Sequence, residues 1–365
     1  MKILLIGEFS GFHKNLKEGL TALGHEVLIA STGDGWKKIK NNVNWGSSYN
    51  GMLGKLDTQY RIFNSLPQLK GFDVVQFISP NLCVKAMGIN AFVINRIISQ
   101  NTKSFLIGAG CHDCFTADFL QYKFPKKELF RAISWEAKGQ LWFQQPQGRA
   151  FTKHLFNKID GYIPIMYEYA QGVREAGYKK MCPTIPLPLN VDKIQYQENR
   201  IKGKVIFLHG LTRENVKGTP LIRQAMENLA SKYPNDVKII IDGKMPLNDY
   251  LKILQNVNVV IDQAYSISYG MNVAYNLALG KVVVGGGEAE CLREFGLKES
   301  PLIPINPTVE NIELKLSKLL ENRREIPEMG WRSRKYVEEI HNYKKIADRY
   351  VDVWQNFPKA DANDK

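Results

Sequence analysis

The chain has 365 residues, 44% of them hydrophobic and 11% aromatic, which is enough to bury two cores of ordinary size. Its formal net charge of +13 indicates an anionic partner such as nucleic acid, an anionic membrane face or a phosphorylated substrate. The charge comes without zinc-finger spacing, an aromatic RNA-binding motif or a basic heptad region, so nucleic acid is not a predicted partner. No stretch approaches the roughly 18 apolar residues of a membrane span, and MKILLIGEFSG is not typical of a signal peptide, so we predict a cytoplasmic protein.

Alternating strand and helix patterns fill residues 1–185, which we predict to be an N-terminal domain. Apolar runs typical of strands lie at 2–7, 26–30, 72–78, 103–108 and 161–166, and helical patterns lie at 13–23, 84–99 and 151–158. Because the strands are apolar on both faces, they are predicted to form a parallel sheet buried between layers of helices.

A Pro-rich passage, PTIPLP, and a charged stretch after it predict a linker at 186–203. A second alternating series predicts a C-terminal domain at 204–330. Its strands are predicted at 204–210, 237–243, 257–262 and 281–287, and its helices at 220–232, 248–255 and 273–279. The predicted fold class is α/β, with two Rossmann-like, doubly wound domains that face each other across a cleft and bind ligands at the carboxyl ends of their strands.

The C-terminal sequence is amphipathic and predicts one long helix at 331–357, which needs a surface to cover. The last residues, 358–365, are polar and are predicted to be disordered. The five cysteines are scattered, and Cys111 and Cys114 form a single C-x2-C pair, so we predict reduced thiols and no metal site.

The strongest local signal is the segment HGLTRENVKG at 209–218, which follows the first strand of the C-terminal domain. Glycines let the backbone approach a phosphate, the next helix points its N–H groups outward, and Arg213 and Lys217 supply charge-assisted hydrogen bonds. The spacing is neither a Walker A motif nor a dinucleotide fingerprint. The alternative is a solvated loop with two surface cations. The candidate binding residues here are His209, Gly210, Arg213, Lys217 and Gly218, with Gly243 at the end of the next strand.

This order of strand, G-x-x-R, K-G and helix resembles the phosphate-binding segment of family-4 GT-B glycosyltransferases. The stretch YGMN at 269–272, leading to A-x-G-K-V-V, resembles the helix and strand that line the donor pocket of that family. The region 334–350 resembles its C-terminal helix, which crosses back onto the N-terminal domain, and GEFSGFH at 7–13 resembles its first N-domain loop. The resemblance implies a GT-B fold and a UDP- or GDP-sugar as substrate, with no required cofactor. It adds as candidate binding residues Gly7, Gly11, His13, Gly270, Met271 and Asn272.

The sequence departs from that family at two positions. The family usually carries a glutamate near the donor sugar and another on the donor ribose, and here Ile267 and Tyr275 stand in those places. Losing such an acceptor typically forfeits about 1.5–3 kcal/mol. Tyr275 keeps one hydroxyl, and Glu288 follows Gly285–Gly287 where it could face the same pocket. The alternative for Glu288 is a helix-start charge favoured by the dipole.

In the N-terminal domain, the segment GAGCHD at 108–113 follows a buried strand at its carboxyl end. His112 and Asp113 are therefore candidate partners of sugar hydroxyls, although Asp113 is also typical of a helix cap. His13 is a candidate for contact with the donor phosphates, and the alternative is a surface histidine at a helix start. We count Arg213, Lys217, His112 and Asp113 as candidate catalytic residues, because in a front-face retaining transfer cations neutralise the leaving diphosphate and no protein nucleophile is needed.

The segment 121–160 holds eight Lys or Arg residues against three acids, interleaved with aromatic residues. Such a composition suits contact with an anionic membrane surface or with a lipid-linked phosphate acceptor. The alternative is a helix pair with a solvated basic face.

Together these features predict a retaining, metal-independent glycosyltransferase that moves a sugar from a nucleoside-diphosphate sugar to a glycan or lipid-linked acceptor. The setting implied by the resemblance is polysaccharide or glycolipid assembly, in the cytoplasm or at the inner membrane face. The alternative is a catalytically inactive GT-B protein that binds a nucleotide-sugar or glycan. An NAD-dependent oxidoreductase is disfavoured, because neither domain begins with the G-x-G-x-x-G fingerprint.

Overall fold

The computed structural model of the protein describes residues 1–83, 88–243 and 247–359. The chain divides into two units. The first unit comprises Met1–Phe119, Leu141–Asn190 and the chain from Asn342, and the second comprises Leu120–Gln140 and Val191–His341. The segment 120–140, included in the predicted N-terminal domain, is thus a part of the second unit.

The described residues alternate strands and helices along the chain. The strands are β1 (Lys2–Ile6), β2 (Glu26–Ser31), β3 (Val43–Asn44), β4 (Val74–Phe77), β5 (Lys103–Gly108), β6 (Gly161–Pro164), β7 (Val205–Gly210), β8 (Val237–Asp242), β9 (Val259–Ile261) and β10 (Val282–Val284). The helices are α1 (Phe12–Ala22), α2 (Gly51–Ser65), α3 (Ile89–Ser99), α4 (Cys114–Asp118), α5 (Lys127–Glu136), α6 (Pro146–Lys158), α7 (Tyr167–Glu175), α8 (Glu214–Lys217), α9 (Thr219–Lys232), α10 (Leu247–Leu254), α11 (Met271–Ala278), α12 (Ala289–Glu294), α13 (Val309–Glu321), α14 (Ile326–Ile340) and α15 (Tyr343–Asn356). None of these helices is both long and apolar enough to cross a bilayer.

The first unit is built on a parallel sheet with strand order β3-β2-β1-β4-β5-β6. In β1 the residues from Ile3 to Ile6 are completely buried, because successive side chains point to opposite faces and both faces are covered. The predicted buried parallel sheet is confirmed. The predicted helix at 84–99 corresponds to α3, and its residues 84–87 lie outside the described residues, as do residues 360–365 of the predicted disordered tail.

The second unit is built on a parallel sheet with strand order β10-β9-β7-β8. Its core includes Val205 and Phe207 of β7, Val259 of β9 and Val282 of β10, all without exposed surface. The two sheets confirm the predicted pair of Rossmann-like domains.

The predicted single helix at 331–357 is wrong, because two helices, α14 and α15, replace it. The Asn342 side chain accepts hydrogen bonds from the backbone N–H groups of Lys344 and Lys345 and so caps α15. The N–H of Tyr343 donates to the carbonyl of Leu189, which draws the chain away from the axis of α14. The break lets α14 stay in the second unit while α15 belongs to the first.

Helix α15 covers α1, as the amphipathic pattern requires. Gly19 of α1 lies so close to α15 that a Cβ there would come within 2.3 Å of the carbonyl oxygen of Tyr343 and 2.8 Å of the Ala347 side chain. The ring of Phe12 meets that of Tyr350 edge to face, with centroids 6.4 Å apart. The C-terminal helix therefore packs on the N-terminal domain, as predicted from the resemblance.

We predict that Gly19→Ala lowers the free energy of unfolding of the first unit by about 1–3 kcal/mol, the usual cost of overpacking. Alanine is favoured over glycine in a helix by about 1 kcal/mol. At an uncrowded position the substitution would therefore stabilise the protein, and a loss of stability indicates crowding against α15. Urea denaturation monitored by near-UV circular dichroism measures the change, with Thr21→Ala on the exposed side of α1 as the control. A stabilised Gly19→Ala protein would contradict the close packing.

Candidate functional site

The carboxyl ends of β7 to β10 lie along one edge of the second sheet. In-register pairs join Gly210 with Asp242 and Ile261 with Val284. The loops that continue from this edge begin at Leu211, Gly243, Asp262 and Gly285. Ligands of open α/β sheets bind at this edge, so these loops form the candidate site of the second unit.

The loop after β7 is shaped by two glycines. The N–H of Leu211 donates to the carbonyl of Asp242, and a Cβ on Gly243 would come within 2.3 Å of the Leu211 carbonyl oxygen, so the two loops touch. Gly218 has a φ of 74°, in the left-handed region that favours glycine, and a Cβ there would press against the ring of Tyr265. This turn ends α8 at Lys217 and starts α9.

Lys217 forms a buried ion pair with Asp262. Its Nζ lies 2.8 Å from Oδ1 of Asp262, and Nδ2 of Asn272 donates to the same oxygen over 3.1 Å. Burial alone would raise the pKa of Asp262, but the charge and hydrogen bond of Lys217, with that of Asn272, hold it below its usual value. The structure thus brings together three residues, of which our sequence reasoning missed Asp262. The available signal was an acid directly after an apolar strand.

Arg213 pairs with a residue of the segment 120–140. Its Nη2 and Nε lie 2.6 Å and 3.1 Å from Oε2 of Glu136 at the end of α5. The Arg213 side chain is 56% exposed, so this pair is worth about 0–1 kcal/mol. Arg213 can therefore exchange Glu136 for another anion at little cost.

A second buried ion pair lies at the same edge. Lys126, which precedes α5 and is 7% exposed, pairs with the carboxylate of Glu288. Its Nζ also donates to the carbonyl oxygens of Ala264, Ser266 and Ile305, at 3.0, 3.3 and 2.9 Å. The ammonium is surrounded by oxygen atoms, which is how a buried cation becomes tolerable.

Glu288 sits at the start of α12, next to the loop that follows β9. Its N–H donates to the carbonyl of Ile267 over 3.2 Å. The preceding Gly285 and Gly286 have φ values of 108° and 74°, and a Cβ on either would run into a backbone carbonyl of the β9 loop. The Ile267 side chain is buried and apolar, so it presents no polar group to a ligand.

Helix α11 begins at this edge with the predicted stretch of Gly270, Met271 and Asn272. Apart from the chain neighbours, no heavy atom of the described residues lies within 4 Å of a Cβ built on Gly270 or on Gly210, so both backbones have open space beside them. Tyr275 lies one turn after Asn272 on α11. It lines a pocket of about 200 Å³ together with residues from α10 and from the chain before β7, among them Leu251, Leu254, Gln195 and Gln197.

His209 is a packed residue of the sheet and is completely buried. Its Nδ1 lies 2.9 Å from the carbonyl of Ile261 and its Nε2 lies 2.8 Å from the hydroxyl of Thr219. Burial first, and then the charge of Lys217, lower the pKa of His209 to about 4, so the ring is neutral at pH 7. It joins β7, β9 and the start of α9.

In the first unit, His13 is also fully buried, which contradicts its interpretation as a surface histidine. Its Nδ1 lies 2.7 Å from the Gly7 carbonyl, and its Nε2 lies 3.2 Å from the amide nitrogen of Gln76. Burial lowers the pKa of His13 to about 4. Gly7 and Gly11 both adopt left-handed φ values, near 85°, that shape the loop before α1.

Asp113 caps α4, as the alternative interpretation had it. Its carboxylate accepts the backbone N–H of Thr116 over 2.7 Å and the hydroxyl of the same residue over 2.8 Å. Burial raises the pKa of Asp113 to about 6. His112 packs beside Phe9, with ring centroids 5.6 Å apart, so the first loop and the 108–113 segment meet.

The segment 120–140 also forms a pocket of about 990 Å³ within the second unit. Three cations, Lys127, Arg131 and Lys138, and one acid, Glu136, lie on its walls together with the apolar Phe130 and Trp135. The Trp135 ring is largely exposed. A pocket of this composition suits a ligand that is both anionic and apolar.

No protein-family model and no curated protein matches the chain. Its structure is nevertheless similar to that of sucrose-phosphate synthase from Thermosynechococcus elongatus, with 13% identity, 97% of this chain and 98% of that chain covered, and a TM-score of 0.64. It is also similar to Anabaena HepE, solved in complex with UDP and glucose, with 12% identity, coverage of 98% and 100%, and a TM-score of 0.61.

A third similar structure is a Listeria monocytogenes protein proposed to be a UDP-N-acetylglucosamine 2-epimerase. It shares 12% identity over 96% of this chain and 95% of that chain, with a TM-score of 0.53. Likeness at this identity defines the fold, which is the GT-B fold, as the sequence predicts. One fold can host different reactions, so the activity has to be argued from the site.

Glu8 is a buried carboxyl group in the first loop that sequence reasoning missed. It is 5% exposed, and its Oε2 accepts the N–H of Lys14 over 2.9 Å. Burial raises the pKa of Glu8 to about 7, against the hydrogen bonds from Lys14 and His13, which lower it. An acid just after a strand is the only signal that pointed to it.

We predict that Glu8→Gln becomes more stable relative to the wild type as the pH rises from about 4.5 to about 7. The raised pKa means that the folded state holds a proton that the unfolded state releases, so the wild type loses stability over this range, by about 3 kcal/mol. Urea denaturation of both proteins between pH 4.5 and 8 measures the difference. His13 titrates in the opposite direction in both proteins, so its effect cancels. A difference that stays constant with pH would contradict the prediction.

Proposed function

We propose that this chain is a glycosyltransferase that takes a sugar from a UDP- or GDP-sugar and transfers it to a glycan or lipid-linked acceptor. The observation that carries the proposal is the pair of cations on the loop after β7, Arg213 and Lys217, at the ligand-binding edge of a GT-B fold. HepE, a structure of the same fold, is solved with UDP and glucose.

The two cations differ in a way that suits a diphosphate. Lys217 is held in place by Asp262, whereas Arg213 is half exposed and its partner Glu136 is weakly bound. The helix that starts at Met271 adds N–H groups without intrahelical partners at the same edge. A diphosphate would thus replace Glu136 on Arg213 and gain charge-assisted hydrogen bonds.

The chemistry we propose is a retaining transfer without a metal. The bond from the anomeric carbon to the diphosphate oxygen breaks, and the acceptor oxygen bonds to that carbon from the same face. The leaving diphosphate accepts the proton of the acceptor hydroxyl, while Arg213 and Lys217 neutralise the charge that develops on it. Within the first unit, which we propose to bind the acceptor, we propose His112 as a partner of an acceptor hydroxyl. The carboxylate of Asp113 is committed to Thr116 and serves to place that loop.

The alternative is a protein that binds nucleotide-sugars without turnover. Ile267 and Tyr275 favour it, because neither side chain is a carboxylate and Ile267 is buried. Binding and catalysis are therefore tested separately.

We expect Arg213→Ala to weaken binding of UDP or GDP by about 1.5–3 kcal/mol, which is about 10- to 150-fold in Kd, because hydrogen bonds to the diphosphate are lost. Isothermal titration calorimetry measures it, with Lys232→Ala as the control, since this exposed lysine lies at the far end of α9. Transfer and hydrolysis assays with UDP- and GDP-sugars then follow. Equal affinity of Arg213→Ala and wild type would refute the diphosphate site, and binding without turnover over a broad panel would favour the alternative.

We further propose that the protein works at an anionic membrane surface, at the inner face of the cytoplasmic membrane. Helix α2 presents an apolar stripe, in which Met52, Leu53, Leu56 and Tyr60 are each at least 60% exposed. Exposed apolar stripes of this kind, on a chain with a net charge of +13, are typical of helices that lie in a membrane interface.

We expect the double variant Leu53→Asp/Leu56→Asp to lose most of its binding to vesicles of phosphatidylglycerol, because two charges would enter the apolar layer. Co-sedimentation measures the bound fraction, with phosphatidylcholine vesicles as the uncharged comparison. Leu314→Asp, at an exposed leucine of α13, is the matched control. If wild type and the double variant sediment alike, α2 does not contact the membrane.

A further inference from the structure

Glu288 and Lys126 are 162 residues apart in sequence, yet they form a buried pair at the carboxyl edge of the second sheet. Lys126 comes from the segment 120–140, and Glu288 comes from the other part of the second unit, residues 191–341. The pair therefore holds the start of α5 beside the start of α12.

The pair lies next to the proposed diphosphate ligand Lys217. The carbonyl of Lys217 accepts the N–H of Ala264 over 2.9 Å, and the carbonyl of Ala264 accepts a hydrogen bond from Lys126 over 3.0 Å. A single residue therefore connects the Lys217–Asp262 pair with the Lys126–Glu288 pair. Glu288 thus lies at the same edge of the sheet as the place where the phosphates would bind.

Glu288 carries a carboxylate, whereas the neighbouring Ile267 has an apolar side chain. Its backbone N–H is bonded to Ile267, whose side chain is apolar and buried, and its own side chain keeps 21% of its surface exposed. A carboxylate has two oxygens and about four acceptor sites, so one oxygen can hold Lys126 while the group still accepts hydrogen bonds from hydroxyls. The three carbonyls around Lys126 fix the ammonium and, through it, the orientation of the carboxylate.

We propose that Glu288 accepts hydrogen bonds from the sugar hydroxyls of a bound nucleotide-sugar, and that Lys126 is its positioning residue. The proposal rests on the function proposed above and names the group that recognises the sugar. It predicts a separation of effects, because the nucleotide is held by Arg213 and Lys217 and the sugar by Glu288.

The test compares Kd for UDP with Kd for UDP-glucose, UDP-galactose and UDP-N-acetylglucosamine, and Kd for GDP with Kd for GDP-mannose, using the full chain. Glu288→Gln is expected to weaken binding of the preferred nucleotide-sugar about tenfold and to leave the free nucleotide within about twofold. Lys126→Met should act in the same direction and Lys126→Arg should recover part of the loss. Glu290→Gln is the matched control, because Glu290 pairs with Arg293 within α12.

The possible results distinguish a sugar-binding role of Glu288 from a purely structural one. Equal changes for the nucleotide and the nucleotide-sugar would show that the pair is only structural, and no change for either in Glu288→Gln would show that Glu288 does not contact the sugar. Either result overturns this inference and leaves the proposed function standing. A wild-type protein that binds none of these compounds overturns the proposed function and this inference together. If Lys126→Met does not fold, Glu288→Gln and Lys126→Arg carry the test.

Discussion

The buried ion pair between Lys217 and Asp262 is the constraint on which the candidate site depends. A buried carboxylate is costly unless a cation and hydrogen bonds compensate it, and Lys217 and Asn272 do so here. Because Lys217 ends the short helix after β7 and Asp262 follows β9, the pair ties two neighbouring loops together. It also leaves the two cations of the loop with different roles, a fixed Lys217 and a half-exposed Arg213.

The segment 120–140 also makes ion pairs with distant residues of the second unit. Lys126 brings a positive charge to a cluster of carbonyl oxygens, and Glu136 brings a negative charge to Arg213. The first contact is buried, so loss of either partner would leave an uncompensated buried charge, whereas the second is exposed and weak. The segment therefore has a buried ion pair at its start and an exposed one at the end of α5, beside the loop where we propose that the diphosphate binds.

Several candidate site residues have partners within the protein. His13 and His209 lie in loops or strand ends that suit ligand contact, but burial of both rings makes them packing residues with depressed pKa values. Asp113 has the residue type of a sugar ligand and of a helix cap, and the geometry shows the cap. The long C-terminal helix failed as a prediction because the carbonyl of Leu189, more than 150 residues away in sequence, competes for the N–H of Tyr343.

The sequence by itself determined the two parallel sheets and the position of the loop after β7, where we propose that the diphosphate binds. These features follow from local patterns, since continuous apolar runs bury both faces of a strand and parallel strands end at one edge. Only the tertiary structure decided the partners of the charged residues: Asp262 for Lys217, Glu136 for Arg213 and Lys126 for Glu288. The physical reason is distance along the chain. An ion pair between residues 45, 77 or 162 positions apart depends on how whole elements pack, and no local period or motif records it.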